Sequence, residues 1–256
     1  MRIMTSNIWG DYFGNPVDVR IDDIYGIYKK YNPDILGLQE ITKRWYDSGL
    51  FERLAADYYW VGTEIADSNN FVPFCFKKSY KLISKGYEYL AETPDVTKGI
   101  TWAVLKSEYD TVFAVCNTHF WWRTGPEHDE IRIKNAHQLV KLMKHLSGQY
   151  NCPVFAFGDM NTTLSSGVFE VYRQCGISHL HDLAEVKDNM SSHHGDPVCG
   201  EDGKYHGKTT DNDKNHSIDH MVVLGDGIKA LQYRIIEDQP ALDATDHSPV
   251  FVDVEF

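Results

Sequence analysis

Asp159, Met160 and Asn161 follow an apolar run, Pro153 to Phe157, and one glycine, Gly158. A run of this kind reads as a buried strand, and its last residues reach the open end of a sheet, where α/β proteins bind ligands. A carboxylate and a carboxamide two apart on a strand project toward the same side. Asp159 could then hold a water or a metal while Asn161 holds a substrate oxygen. The competing reading is a strand-end turn with Asp and Asn as turn formers.

The pattern recurs. Arg2 to Met4 lead into Thr5-Ser6-Asn7, Asp34 to Leu38 into Gln39-Glu40, and Val112 to Cys116 into Asn117-Thr118-His119. Ser217-Ile218-Asp219-His220 precedes the apolar run Met221 to Leu224, and Asp246-His247-Ser248-Pro249 precedes Val250 to Val254. Any one of these reads as a polar cap on a core strand. Together they put metal and acid/base chemistry at the ends of several strands of one chain.

As an ordered set, Thr5-Ser6-Asn7-Ile8, Leu38-Gln39-Glu40, Asn117-Thr118-His119, Gly158-Asp159-Met160-Asn161, Ser217-Ile218-Asp219-His220 and Asp246-His247-Ser248-Pro249 resemble the endonuclease/exonuclease/phosphatase superfamily. That superfamily includes pancreatic-type deoxyribonuclease and inositol-polyphosphate phosphatases. The resemblance implies a four-layer α/β sandwich, two packed mixed and antiparallel β-sheets with helices outside. It also implies divalent-metal-dependent hydrolysis of a phosphate ester.

Such an ester resists attack because its oxygens repel hydroxide, so the site must activate water, place positive charge at phosphorus and assist the leaving oxygen. Glu40 is the expected metal ligand, with Asn7 beside it and Asp246 completing the shell. Hard oxygen ligands favour Mg2+ or Mn2+. The structural alternatives are a strand-end turn for Asn7 and a surface salt bridge for Glu40. Asp159 is expected to orient or deprotonate the attacking water, and Asn161 to steady a phosphate oxygen or the nucleophile. Adjacent strand residues point opposite ways, so Asp246 and His247 should diverge. The resemblance implies Asp219 as the carboxylate partner of His247. A carboxylate behind an imidazole fixes its tautomer and raises its basicity. His119 would contact another phosphate oxygen.

Two departures from the family pattern stand out. Many relatives carry Asp or Asn shortly after the Asn-Thr-His piece; here Phe120-Trp121-Trp122 follows. Trp121 and Trp122 could stack on a base or sugar ring, or pack in the core at the strand end. Where relatives often carry Arg, this chain has Lys98, a point charge without a bidentate fork.

The elements that must position these groups alternate along the chain. Val17, Ile21, Ile24, Ile27, Tyr28 and Tyr31 form a helical stripe that Asn32-Pro33 stops. A shorter helix is expected over Trp45 to Ala56. Strands are expected at Tyr58 to Val61, Phe71 to Phe76, Tyr80 to Tyr89, Ile100 to Leu105 and Thr111 to Asn117, paired antiparallel. Further helices are expected over Glu130 to Leu146 and Gly167 to Gln174. Val186 to Asn215 is long, polar and rich in His, Asp, Gly and Asn. Three readings apply: a surface loop, a substrate-binding loop in which Tyr205-His206-Gly207 resembles a family segment, or a zinc site using His193, His194, Cys199 and His206.

Site residues scattered from Asn7 to His247 argue for one domain over residues 1–256. A hydrophobic share of 42% with 13% aromatics supports a packed core. The formal charge of −12, without a Lys/Arg cluster, argues against long duplex DNA as a partner. A small or single-stranded phosphate-ester substrate is expected instead. No apolar run is long enough to span a bilayer, and no signal-type segment precedes the first strand-like run. The five cysteines are odd in number, so at least one is free or pairs outside the chain. Two other functions compete with the phosphoesterase: a catalytically silent binding module on the same fold, and an endonuclease acting on nucleic acid. A silent module would be expected to have lost Glu40, Asp159 or His247.

Overall fold

The computed structural model describes residues 1–62, 71–209 and 213–256. Two sheets form its centre. The first has seven strands in the order Val186–Lys187, Lys229–Ile235, Val250–Glu255, Arg2–Asn7, Ile35–Gln39, Phe74–Lys77 and Tyr58–Val61. The second has six, in the order Lys81–Tyr89, Gly99–Lys106, Val112–His119, Val154–Asp159, Asp219–Leu224 and Ser178–His179. Each sheet has a central parallel pair: Arg2–Asn7 with Ile35–Gln39, and Val112–His119 with Val154–Asp159. The middle of the chain pairs antiparallel, as expected, but divides between the two sheets.

Side-chain alternation along these strands builds the layers. Ile3, Ile35, Phe74, Val115, Phe155, Phe157, Met221 and Val252 meet between the sheets. Their neighbours Met4, Leu36, Cys75 and Phe251 face outward, under the helices Ile21–Tyr31, Leu50–Leu54 and Gln239–Ala244. On the other side, Ala114, Cys116, Val154 and Ala156 pack against the helices Pro126–Tyr150 and Gly167–Gln174. Both faces of the central strands are covered, so they read as near-continuous apolar runs. The result is the four-layer α/β sandwich. Gly37 marks a close approach of the sheets: a Cβ there would lie 2.3 Å from the Phe157 ring and 2.7 Å from Asn117 Oδ1.

The helix expected over Trp45 to Ala56 is instead two short ones, Lys43–Tyr46 and Leu50–Leu54. Gly49, at φ +86°, breaks it, because a left-handed residue cannot continue a right-handed helix. The long helix begins four residues earlier than expected, at Pro126, where proline suits the first turn. The polar segment from Val186 runs mostly over the surface, as one reading has it, but it is anchored at several points. Val186–Lys187 joins the seven-stranded sheet, Ser191 and Ser192 are buried, and Val198–Cys199 pairs with Tyr205–His206 in a hairpin. Residues 210–212 of that segment lie outside the described residues. Cys75, Cys116 and Cys152 are buried, and all five cysteines are free thiols. Among the described residues no helix is long and apolar enough to cross a membrane.

Candidate active site

The strand ends converge where the two sheets open at one edge of the sandwich. Asn7 closes the first strand and reaches across: its Nδ2 donates to Asp159 Oδ2 at 3.0 Å and to Glu40 Oε1 at 3.2 Å. Glu40 lies one residue beyond its strand at φ +64°, where side chains other than glycine are uncommon. The Gly10 N–H donates to Glu40 Oε2 at 2.7 Å and fixes the carboxylate. Strained backbone held in place by its surroundings concentrates at functional sites.

On the other side of Asp159 stands His247. Its Nδ1 is 2.8 Å from Asp219 Oδ2, and its Nε2 is 3.8 Å from Asp159 Oδ2. The Ser192 hydroxyl donates to the same Asp219 oxygen at 2.7 Å and accepts from the Ile218 and Asp219 N–H groups. The His247 N–H donates to Thr245 Oγ1, whose hydroxyl donates to Asn7 O. The pair is therefore tied to both sheets.

A third group completes the cluster. His119 Nε2 lies 3.3 Å from Asp159 Oδ2, and Lys98 Nζ lies 2.7 Å from the same ring nitrogen. Lys98, His119, Asp159, Asp219 and His247 are all buried.

Burial and neighbours split the charges. Burial, with the Asp219 carboxylate adding to it, pushes Asp159 up to about 7, against the charges of His247 and Lys98. Burial would raise Asp219 as well, but the charge of His247, its hydrogen bond and that of Ser192 hold the carboxyl below its ordinary value. Burial would lower His247, but Asp219, Asp246 and Asp159 outweigh it and hold the ring well above the ordinary value. The pair is thus an imidazolium against a carboxylate. His119 goes the other way: burial, then Lys98 and His247, hold it neutral. Burial also lowers Lys98, with Glu40 and Asp159 opposing.

The donor set fits a hard divalent ion. Glu40 and Asp246 offer carboxylates, whereas Asn7 turns its Nδ2 toward Glu40 and accepts the Trp9 N–H on Oδ1 at 3.1 Å, so its amide must turn to add an oxygen. Burial pushes Asp246 up to about 6, and Glu40 adds to the rise. A bound cation would offset the negative charge that Glu40 and Asp246 place on this side of the site. Among the described residues, Asp159, Asp219 and His247 bring ligand atoms within 4.8 Å of one another, as do His193, Asp246 and His247.

That second group corrects one expectation. Asp246 and His247 do not diverge: both lie ahead of the strand Val250–Glu255, where strand alternation does not apply. Likewise Asn161 lies beyond the strand that ends at Asp159, at φ +48°. Its N–H donates to Asp159 Oδ1 at 2.9 Å and its Nδ2 to Phe120 O at 3.2 Å. Phe120 and Trp121 are buried, and Trp121 Nε1 donates to His128; only Trp122 is exposed. His206 is exposed and paired with Asp202. The zinc reading fails: among the described residues, His193, His194, Cys199 and His206 do not form a metal-capable group, and His193 packs on His247 instead.

Two residues escaped the sequence reading. Ser192 sits in a run without periodicity, so nothing flags it. Arg20 falls between Val17 and Ile21 of the apolar stripe and, as a charge, should be exposed, yet it is buried. Its guanidinium donates to Ile8 O, Trp9 O and Ala244 O, bracing the segments that carry Asn7 and Asp246.

The sequence matches the model of the Endonuclease/Exonuclease/phosphatase family over residues 4–247. No curated protein matches it. Among solved structures, the endonuclease/exonuclease/phosphatase from Bacteroides vulgatus is similar with a TM-score of 0.80 at 22% identity, over 100% of this chain and 98% of that one. The mannosyl-6-phosphatase of Bacteroides thetaiotaomicron gives 0.75 at 18%, over 100% of both chains. The human Nocturnin catalytic domain, solved with a bound sulfate anion, gives 0.75 at 17%, over 100% of this chain and 94% of that one. At these identities the likeness is one of fold.

Proposed function

This chain belongs to the endonuclease/exonuclease/phosphatase family, and from that premise we propose a divalent-metal-dependent hydrolase of a small or single-stranded phosphate ester. The observation that carries this reading is the buried Asp219–His247 ion pair facing Asp159, across the opening from Glu40 and Asn7. Glu40, Asp246 and Asn7 would hold Mg2+ or Mn2+. The bound ion would supply Lewis-acid charge to the phosphate oxygens.

The chain's own residues do the rest. Asp159, poised near neutrality, accepts the proton of the attacking water. The Asn161 N–H orients that carboxylate, while the Asn161 side-chain amide donates to Phe120 O. His247, charged and held by Asp219, donates to a phosphate oxygen as negative charge develops there. Lys98 adds positive charge from the opposite side through neutral His119. Trp122, exposed three residues beyond the strand that ends at His119, would be a stacking surface for a base or sugar ring. The site draws on both sheets and on residues from Asn7 to His247, so residues 1–256 act as one domain.

The net charge of −12 favours a small substrate over long duplex DNA. The test is a panel of sugar phosphates, nucleotides, phospholipid head-group esters, short single strands and duplex DNA, assayed with magnesium and with manganese. Turnover should be highest on one of the small or single-stranded substrates. Preference for long duplex DNA would overturn the substrate class, and no turnover on any would overturn the function.

A further inference from the structure

We propose that His179, His181 and Asp182 form a second metal site, separate from the cluster around Asp159, that takes zinc or a similar divalent transition ion. These residues stand where the edge strand Ser178–His179 turns into the short helix Leu180–Leu183. The His-Leu-His-Asp run crosses the junction, with His179 still extended at φ −81°, ψ 124°. That turn brings three donor groups to one side of the chain.

The geometry suits an ion. His181 Nδ1 lies 3.7 Å from Asp182 Oδ1, and His179 Nδ1 lies 4.0 Å from Asp182 Oδ2. One ligand atom from each residue falls within 4.8 Å of the other two. Tetrahedral zinc, with bonds near 2.0–2.2 Å, holds its ligand atoms about 3.4 Å apart. Small side-chain rotations, chiefly of the exposed Asp182, would bring the three to coordination distance.

A second observation fixes the ring. His181 Nε2 lies 2.9 Å from Asp188 O. A carbonyl only accepts, so Nε2 carries the proton, and in the neutral ring the metal-binding lone pair is on Nδ1, the nitrogen 3.7 Å from Asp182 Oδ1. Histidines that bind metals are oriented in this way, by donating the other ring N–H to a carbonyl or carboxylate. The His220 ring packs edge-on to His179 at 5.3 Å and donates from Nε2 to Thr162 O, which closes the inner side.

Access comes from outside. The two histidines are buried, whereas the Asp182 side chain is 70% exposed. Asp182 and His179 line an open cleft of about 350 Å³ beside Phe169, Arg173 and Val222. Two imidazoles and one carboxylate, with room for solvent, suit zinc better than magnesium. The ion would also pin the edge strand, where His179 pairs with Val222, three residues along from Asp219.

The test uses the full chain with magnesium in excess, so that the oxygen ligands around Glu40 are contested. Zinc binding is followed by calorimetry, and cobalt(II) by its visible absorption. Zinc should bind and raise Tm. His181→Ala and Asp182→Ala should each weaken binding about tenfold or more, the scale set by losing a ligand or its orienting partner. Asp182→Ala, at an exposed position, should keep the magnesium-supported activity of the wild type. The assignment falls if the wild type binds no zinc under these conditions, or if Asp182→Ala binds it as tightly as the wild type. The second result would mean that Asp182 is only a surface partner of two core histidines.

Discussion

His247 Nδ1 lies 2.8 Å from Asp219 Oδ2, and the two residues are carried by strands of different sheets, Asp219 within one and His247 just ahead of the other. Asp219 begins a strand of the six-stranded sheet, and His247 precedes a strand of the seven-stranded one. The contact exists only when the sandwich is assembled. It also gives the imidazole its charge, because Asp219, with Asp246 and Asp159, overcomes burial. The two side chains should therefore act as one unit. Asp219→Ala and His247→Ala should each reduce turnover by ~10²–10⁴, and the double variant should cost little more than either. Fully additive losses in kcat would contradict the pairing.

Asp159 is the group on which the water chemistry rests. Asp159→Asn preserves shape and removes the base. Turnover should fall by ~10²–10⁴ or more, with thermal stability unchanged or raised, since burial opposes the charged carboxylate. Wild-type turnover in this variant would reduce Asp159 to a strand cap.

Much of this arrangement was legible in the sequence. The strands ending at Asn7, Gln39, His119 and Asp159 are apolar runs that stop at polar residues, and burial on both faces makes such runs conspicuous. Other features were not legible, for identifiable reasons. The inward turn of both Asp246 and His247 depends on irregular backbone, which has no period to read. Asn161 leaves its strand through a positive φ that an Asn tolerates but does not announce. Ser192 and Arg20 acquire their roles through contacts with residues far along the chain. The Asp219 bond from Ser192 spans 27 positions, and the Ala244 bond from Arg20 spans 224.

Ser192 offers a test of that hidden layer. Its hydroxyl donates to Asp219 and receives two backbone N–H groups. A hydrogen bond to a charged group contributes about 1.5–3 kcal/mol. Ser192→Ala should lower kcat by roughly ten- to a hundredfold through misplacement of the pair, leaving KM nearly constant. Unchanged kcat would show that Asp219 needs no support from this segment.

The sandwich has an acid-sensitive clasp far from the site. Arg2 donates from Nε and Nη2 to the two oxygens of Asp253 at 2.7 and 2.8 Å, and Gln232 donates to the same carboxylate. Burial would raise this carboxyl, but Arg2 and Gln232 hold it below its ordinary value. A depressed carboxyl stabilises the fold above its unfolded pKa, about 3.9, and that contribution is lost as pH falls through the folded value. Asp253→Asn should cost about 1 kcal/mol at neutral pH. The gap from the wild type should narrow in denaturant titrations below about pH 4. A constant gap from neutral to acid pH would show that the carboxylate's charge contributes nothing.

The central claim is that Glu40, Asn7 and Asp246 hold a divalent ion that phosphate-ester hydrolysis requires. The direct measurement is the turnover of the best small phosphate ester in excess chelator, then after restoring magnesium or manganese, for the wild type and for Glu40→Ala. The wild type should lose activity with the chelator and regain it with either ion. Glu40→Ala should require far more metal to reach any rate. Full turnover in excess chelator, or an unchanged metal requirement in Glu40→Ala, would contradict it.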